Sequence, residues 1–189
     1  MDILAHGLWV AALAKGANVK IKEEKKPSVA WAAFWGVFPD LFAFTLPFAV
    51  LILNIIFGSI KLSQIHFPFQ GLRIGAEWAF QYTPYLYQIS HSLVIFSAVF
   101  LIVWLIRKRV PWVMFGWALH ILIDIPTHAQ GFYLTPFLWP VSEYRFTHGI
   151  RWSEQWFMIV NYSSLLLVYG YFLINKSKNK IQVENHPKV

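Results

Sequence analysis

The sequence predicts an all-α integral membrane protein, a helical bundle of about four spanning helices preceded by a short N-terminal helix. Three observations predict it. Of 189 residues, 57% are hydrophobic and only 13% charged, against about 45–50% and about 25% in soluble domains. Mean hydropathy is +0.49, and the apolar residues fall into runs of helical length. Twelve of the sixteen bases lie in three short segments: Lys15, Lys20, Lys22, Lys25 and Lys26; Arg107, Lys108 and Arg109; Lys176, Lys178, Lys180 and Lys188. Each segment borders an apolar run, as cytoplasmic loops do.

These observations exclude a cytosolic enzyme, a disordered chain and a coiled coil, because a soluble fold must cover its surface with polar side chains that this chain lacks. The net charge of +7 sets membrane orientation rather than binding nucleic acid, since the bases form loop clusters and no continuous stripe. With no cysteine, disulfides, thiolate metal sites and a Cys nucleophile are excluded. Asp2 stands where a secretory leader would carry bases, and no small-residue cleavage site leads into a polar chain.

Met1–Ala14 reads as a short apolar helix, with Asp2 at its start and Lys15-Gly16 at its end. It is shorter than the roughly 20 residues a span requires. Asn18–Pro27 is a basic loop. Val29–Gly58 is apolar beyond the need of one span, and Pro39-Asp40 predicts a break, with one helix to Phe38 and a second over Leu41–Phe57. Ser59–Pro84 reads as a loop with short interfacial helices. Tyr85–Ile106 is the clearest spanning helix, closed by the bases at 107–109. Pro111 opens a helix that runs to Ile125, and Pro126 ends it. Thr127–Ser153 is an aromatic loop, and Gln155–Ile174 is the last span. Residues 1–175 then form a single transmembrane helical domain, and 176–189 a polar cytoplasmic tail. With the basic segments inside, both long loops lie outside and the C-terminus is cytoplasmic, which places the protein in the inner (plasma) membrane.

Ionisable side chains inside apolar segments are costly and mark functional sites. Here they are His6, Asp40, His91, His120 and Asp124, with His128 just beyond. Imidazole and carboxylate together suit a divalent metal such as zinc. His120 and Asp124 are four apart and share a helix face; a hydrogen-bonded pair that holds helices together would show the same spacing. At 1.5 Å per residue, His6, Asp40, His91, His120 and Asp124 lie about 14 to 24 Å from their basic boundaries. A shared depth predicts one convergent site, displaced toward the outer side. Ser90, Ser92, Thr127, Gln88 and Tyr87 are near enough in sequence to orient the ligands. His148, Arg151 and Glu154 flank the last span on the same side. Glu154 is a candidate ligand or general base, and Arg151 a candidate anion clamp; an interfacial loop with snorkelling charges explains the same trio. His66 and His186 read as solvated surface. The aromatic run Phe132–Pro140 reads as an interfacial belt or as a lid over an amphiphilic substrate.

The order His6, Pro39-Asp40, His91-Ser92, His120-Ile-Leu-Ile-Asp124 and the following Gly…Thr-Pro…Leu-Trp-Pro run resembles the bacterial membrane-bound metal-dependent hydrolase family. That family is in turn similar in motif order to zinc-dependent phospholipase C and related nucleases. The resemblance covers His6 to Phe146. It implies a phospholipase-C-like site of one to three divalent ions, with zinc the expected metal. His6, Asp40, His91, His120 and Asp124 would be the ligands, and Asp40 and Asp124 catalytic carboxylates. His128, absent from the family's common pattern, is a candidate to replace a missing ligand, and Glu154, past the resembling stretch, is a further candidate catalytic carboxylate on its position alone. It also implies hydrolysis of a phosphodiester or other ester in a membrane lipid or amphiphilic substrate. Phe42 stands where that family has a second Asp, and Leu86-Tyr87-Gln88 where it has His-Arg-Gly. Two other classes fit the residues: a transporter or channel subunit using the buried His and Asp as an ion or proton relay, and a structural protein whose polar pairs only join helices.

Overall fold

The computed structural model describes residues 1–19, 21–22, 26–58, 77–130 and 133–185. Expectations for most of the Ser59–Pro84 loop, for His66, Phe132 and His186, and for Lys20 and Lys25 lie outside them. The described residues form six α-helices and no strand: α1 (Ile3–Asn18), α2 (Val29–Ile56), α3 (Glu77–Ser90), α4 (Leu93–Arg107), α5 (Phe115–Thr127) and α6 (Gln155–Asn185). A 3-10 turn, Trp112–Met114, leads into α5.

Two helices are long and apolar enough to cross a membrane, Val29–Ile56 and Gln155–Asn175. A third crossing exists if α3 and α4, bent by 64° at their junction, count as one. The expected four spans are therefore not shown. α5 is 13 residues long, about 20 Å at 1.5 Å per residue, and falls short of a hydrocarbon core of about 30 Å.

α1, α2 and α4 begin where the sequence supplies a cap. Asp2 accepts from the Ala5 N–H at 3.0 Å to start α1, and Ser28 accepts from the Trp31 N–H to start α2. These bonds satisfy N–H groups that have no partner in a first turn. The predicted break at Pro39 is absent, and α2 runs through both Pro39 and Pro47. Proline removes one donor and crowds the carbonyl a turn earlier. Here α1, α3 and α5 pack around α2, and the Gly36 carbonyl, a turn before Asp40, accepts from His120 Nδ1 at 2.7 Å. The carbonyl that Pro39 leaves without a helical donor is that of Trp35, one residue before Gly36; packing on three sides, rather than this bond, keeps the axis continuous.

The break falls instead inside the helix expected over Tyr85–Ile106. α3 ends at Ser90 and α4 starts at Leu93. Ser92 is extended (φ −101°, ψ 124°), and its Oγ accepts from the Val94 and Ile95 N–H groups. It also donates to the Trp139 carbonyl. A serine that caps the following turn competes with helix continuation, and Trp117 secures the corner by donating Nε1–H to the Ser90 carbonyl at 2.6 Å.

Phe96, Met114, Trp117 and Ile121 form a core between α4 and α5 that Trp35 and Phe38 of α2 join. α6 packs on α1 through Leu165 against Ala5 and Met1. Polar bonds hold the same pair: Trp9 Nε1 to Asn161 Oδ1 at 2.8 Å, Tyr162 Oη to Asp2 Oδ1 at 2.9 Å and Tyr169 Oη to the Leu8 carbonyl at 2.9 Å. Where lipid replaces water, such bonds contribute much of the association. α6 continues beyond its apolar span to Asn185.

α2 and α5 meet backbone to backbone. A Cβ on Gly116 would lie 2.4 Å from the Ala32 carbonyl oxygen and 3.0 Å from the Gly36 nitrogen. Only glycine permits that approach, and it brings the next turn of α5, with His120, against α2 at Gly36.

Candidate metal centre

α1 contributes His6, α2 contributes Asp40, the α3–α4 corner contributes His91, and α5 contributes His120 and Asp124. Both imidazoles facing the carboxylates, together with His6 and Asp124, are fully buried, and Asp40 is 6% exposed. Ligand atoms of Asp40, His91, His120 and Asp124 all lie within 4.8 Å of one another.

His120 Nε2 is 3.1 Å from His91 Nε2. Asp40 Oδ1 is 3.4 Å from His91 Nε2 and 3.8 Å from His120 Nε2. Asp124 Oδ2 is 3.4 Å from His91 Nε2 and 3.3 Å from His120 Nε2. A tetrahedron with metal–ligand bonds of 2.0–2.2 Å has edges of about 3.3–3.6 Å. The five observed separations scatter around that edge.

The protonation pattern agrees with a ligand set. His120 Nδ1 faces a carbonyl, which can only accept, so Nδ1 carries the proton and Nε2 presents a lone pair. His91 Nδ1 is 2.9 Å from Ser90 Oγ, which leaves Nε2 toward the cluster. Asp124 Oδ2 is buried and has no hydrogen-bond partner. The Met1 ammonium meets this carboxylate through Oδ1, but an orphaned Oδ2 facing two imidazole nitrogens is costly unless it too gains a partner. The donor set and its spacing therefore fit a divalent ion.

The rest of the shell holds Asp124 and both rings. Asp124 Oδ1 accepts from His6 Nε2 at 2.8 Å and from the Met1 amino group at 2.6 Å. His128 Nε2 lies 3.6 Å from the same oxygen. His6 therefore touches the ligand carboxylate rather than joining the four-residue set, and His128 borders it. His6 stacks on His120, and Tyr87 on His91, each with ring centroids 3.7 Å apart. Tyr87 Oη is 3.0 Å from His128 Nδ1, and Phe44 and Tyr133 pack edge-on and tilted against the Tyr87 ring. Burial keeps the Tyr133 phenol above its ordinary range. These aromatics roof the cluster on one side.

The structure does not bring Glu154 to the centre. It is exposed at the foot of α6, and its N–H bonds the Arg151 carbonyl. His148 and Arg151 serve the loop: His148 bridges to Ala129, and Arg151 donates to the Gln130 carbonyl at 3.2 Å. The catalytic role expected of Glu154 has no support in this position. Phe42 is partly exposed and rests on Phe38. The sequence assigns Tyr87 only an orienting role; its place four residues before His91 sets the two side by side but does not fix the stacking of their rings.

Helical membrane-spanning architecture with a buried His/Asp centre defines the class. The sequence model of the YdjM inner membrane protein family matches residues 1–185. The chain belongs to that family, a family of bacterial inner-membrane proteins. No curated protein and no solved structure matches it.

Proposed function

We propose that the chain is a membrane-embedded, metal-dependent hydrolase that cleaves a phosphodiester or other ester bond of a lipid-like substrate. The observation that carries this reading is the set of donor separations among Asp40, His91, His120 and Asp124, 3.1–3.8 Å across five measured pairs. The order of these residues along the chain, similar to that of metal-dependent hydrolases, supports hydrolysis as the reaction, and two imidazoles with two carboxylates suit zinc. When bound, a divalent ion supplies Lewis acidity and a water whose pKa is near 7.

The protein's own groups take the remaining roles. His91 and His120 present Nε2, each ring stacked and held through Nδ1. His6 holds Asp124 through Oδ1, leaving Oδ2 for the ion. Four closed ligands make a structural site, whereas catalysis needs an open position. Asp40 is the ligand suited to give way. It makes the longest contact, 3.8 Å to His120, and it alone among the four has exposed surface. With an ion bound, its carboxylate would be a proton acceptor within the cluster. The roof of Tyr87, Tyr133 and Phe44 excludes water and suits the apolar part of an amphiphile.

The test is to reconstitute the purified protein in vesicles with zinc or manganese and follow the phospholipids by phosphorus NMR. Metal-dependent appearance of hydrolysed product, lost in His120→Ala, is expected. Metal-loaded protein that hydrolyses no ester in the vesicles while passing ions across them would contradict the reading in favour of a relay.

A further inference from the structure

A cleft of about 620 Å³ opens between α1, the start of α2 and the 3-10 turn leading into α5. That volume lies within the range of ligand pockets, about 300–1,000 Å³. Its walls are apolar, and its deep end is Val10, Ala32 and Gly116. Val10 is one turn after His6, and Gly116 one turn before His120. Between the cleft and the metal-ligand layer the packing closes: a Cβ on Gly36 would meet Val10 Cγ2 at 2.7 Å. The slot ends one turn short of the cluster and is separate from it.

The mouth is at the basic end of the bundle. Ala17, Ile21, Pro27 and Trp112 line it there, and the exposed Leu13 and Phe115 leave the cleft open along its side as well. Lys22 follows Ile21, Lys26 precedes Pro27, and Arg109 stands three residues before Trp112; all three bases are exposed. Lys15 lies over the Phe172 ring of α6, 4.6 Å from its centroid. Trp112 is 62% exposed at the rim, the position an indole takes at headgroup level.

We infer that this cleft binds an anionic phospholipid, with one acyl chain in the slot and the phosphate at Lys22, Lys26 and Arg109. The apolar walls take the chain by burial. The bases select the headgroup, because a zwitterionic lipid offers no net charge to them. The site is independent of the hydrolytic reading, since it shares no residue with the cluster.

The full chain, purified in detergent, is titrated with phosphatidylglycerol or phosphatidylcholine of matched acyl chains, and retained lipid is counted by native mass spectrometry. Phosphatidylglycerol is retained in preference by the wild type. Lys22→Gln and Arg109→Gln, both on exposed side chains, lower that preference roughly fivefold per charge removed. Ala17→Trp, at an exposed lining position, abolishes retention of both lipids. Equal retention of the two lipids by the wild type, an unchanged preference in the charge variants, or undiminished retention in Ala17→Trp would overturn the inference.

Discussion

Asp124 is the residue on which the centre turns, because its two oxygens face different partners. Oδ1 is held by His6 and the Met1 amino group at 2.8 and 2.6 Å, while Oδ2 is left to His91 and His120 without a hydrogen bond. Asp124→Asn keeps the shape and removes the charge, so metal affinity falls at least 10–100-fold, the loss typical even of an outer-shell change, as read by metal titration. Glu154→Gln, by contrast, leaves metal content unchanged, since its exposed side chain lies outside the cluster. At this scale the sequence was informative. A His and an Asp four apart on an apolar helix, with further His and Asp at one membrane depth, could not all be explained as surface. Glu154 lies outside the cluster, because proximity along the chain to an outer loop says nothing of which way an exposed helix start points. Tyr87 was underrated because a stacked roof depends on ring orientation, which spacing alone does not fix.

Among the elements, the misplaced breaks are the instructive case. Pro39 signals a break on local grounds, yet α2 is surrounded by three helices; tertiary packing overrides the local signal. The real break, at His91-Ser92, lies in an apolar run where hydropathy reads one continuous span. Its cause is a single hydroxyl that caps α4 and ties it to the Trp139 carbonyl. Ser92→Ala should therefore cost about 1–2 kcal/mol, seen as a lower Tm in detergent, and should loosen His91 with a fall in metal affinity. The α2–α5 contact is equally specific. Gly116→Ala drives a methyl group into the Ala32 backbone and should destabilise by about 1–3 kcal/mol. An unchanged Tm in Gly116→Ala would mean that the two helices are farther apart than described.

For the whole molecule, composition was enough to read a helical membrane protein, because 13% charge cannot cover a soluble surface. The number of spans was not readable from it. Hydropathy counts apolar length, whereas α5 and the bent α3–α4 pair use apolar length to build an interior around a polar centre. α6 completes that interior by closing on α1 through three polar bonds. Trp9→Phe removes one of them and leaves Asn161 unpaired, so it should lower stability by about 0.6–2 kcal/mol, measured as Tm in detergent. The convergence of three chain segments on one buried cluster, with His6 of α1 against it, is what makes the assembly more than a set of apolar helices, and the central claim is that the cluster holds a divalent ion. The direct measurement is elemental analysis by plasma mass spectrometry of the protein purified without chelator, wild type beside Asp124→Asn and Asp40→Asn. The account predicts at least one zinc, manganese or iron ion per wild-type chain and its loss from both variants. Wild-type protein that is folded and carries no divalent ion, even after incubation with excess zinc, would contradict it.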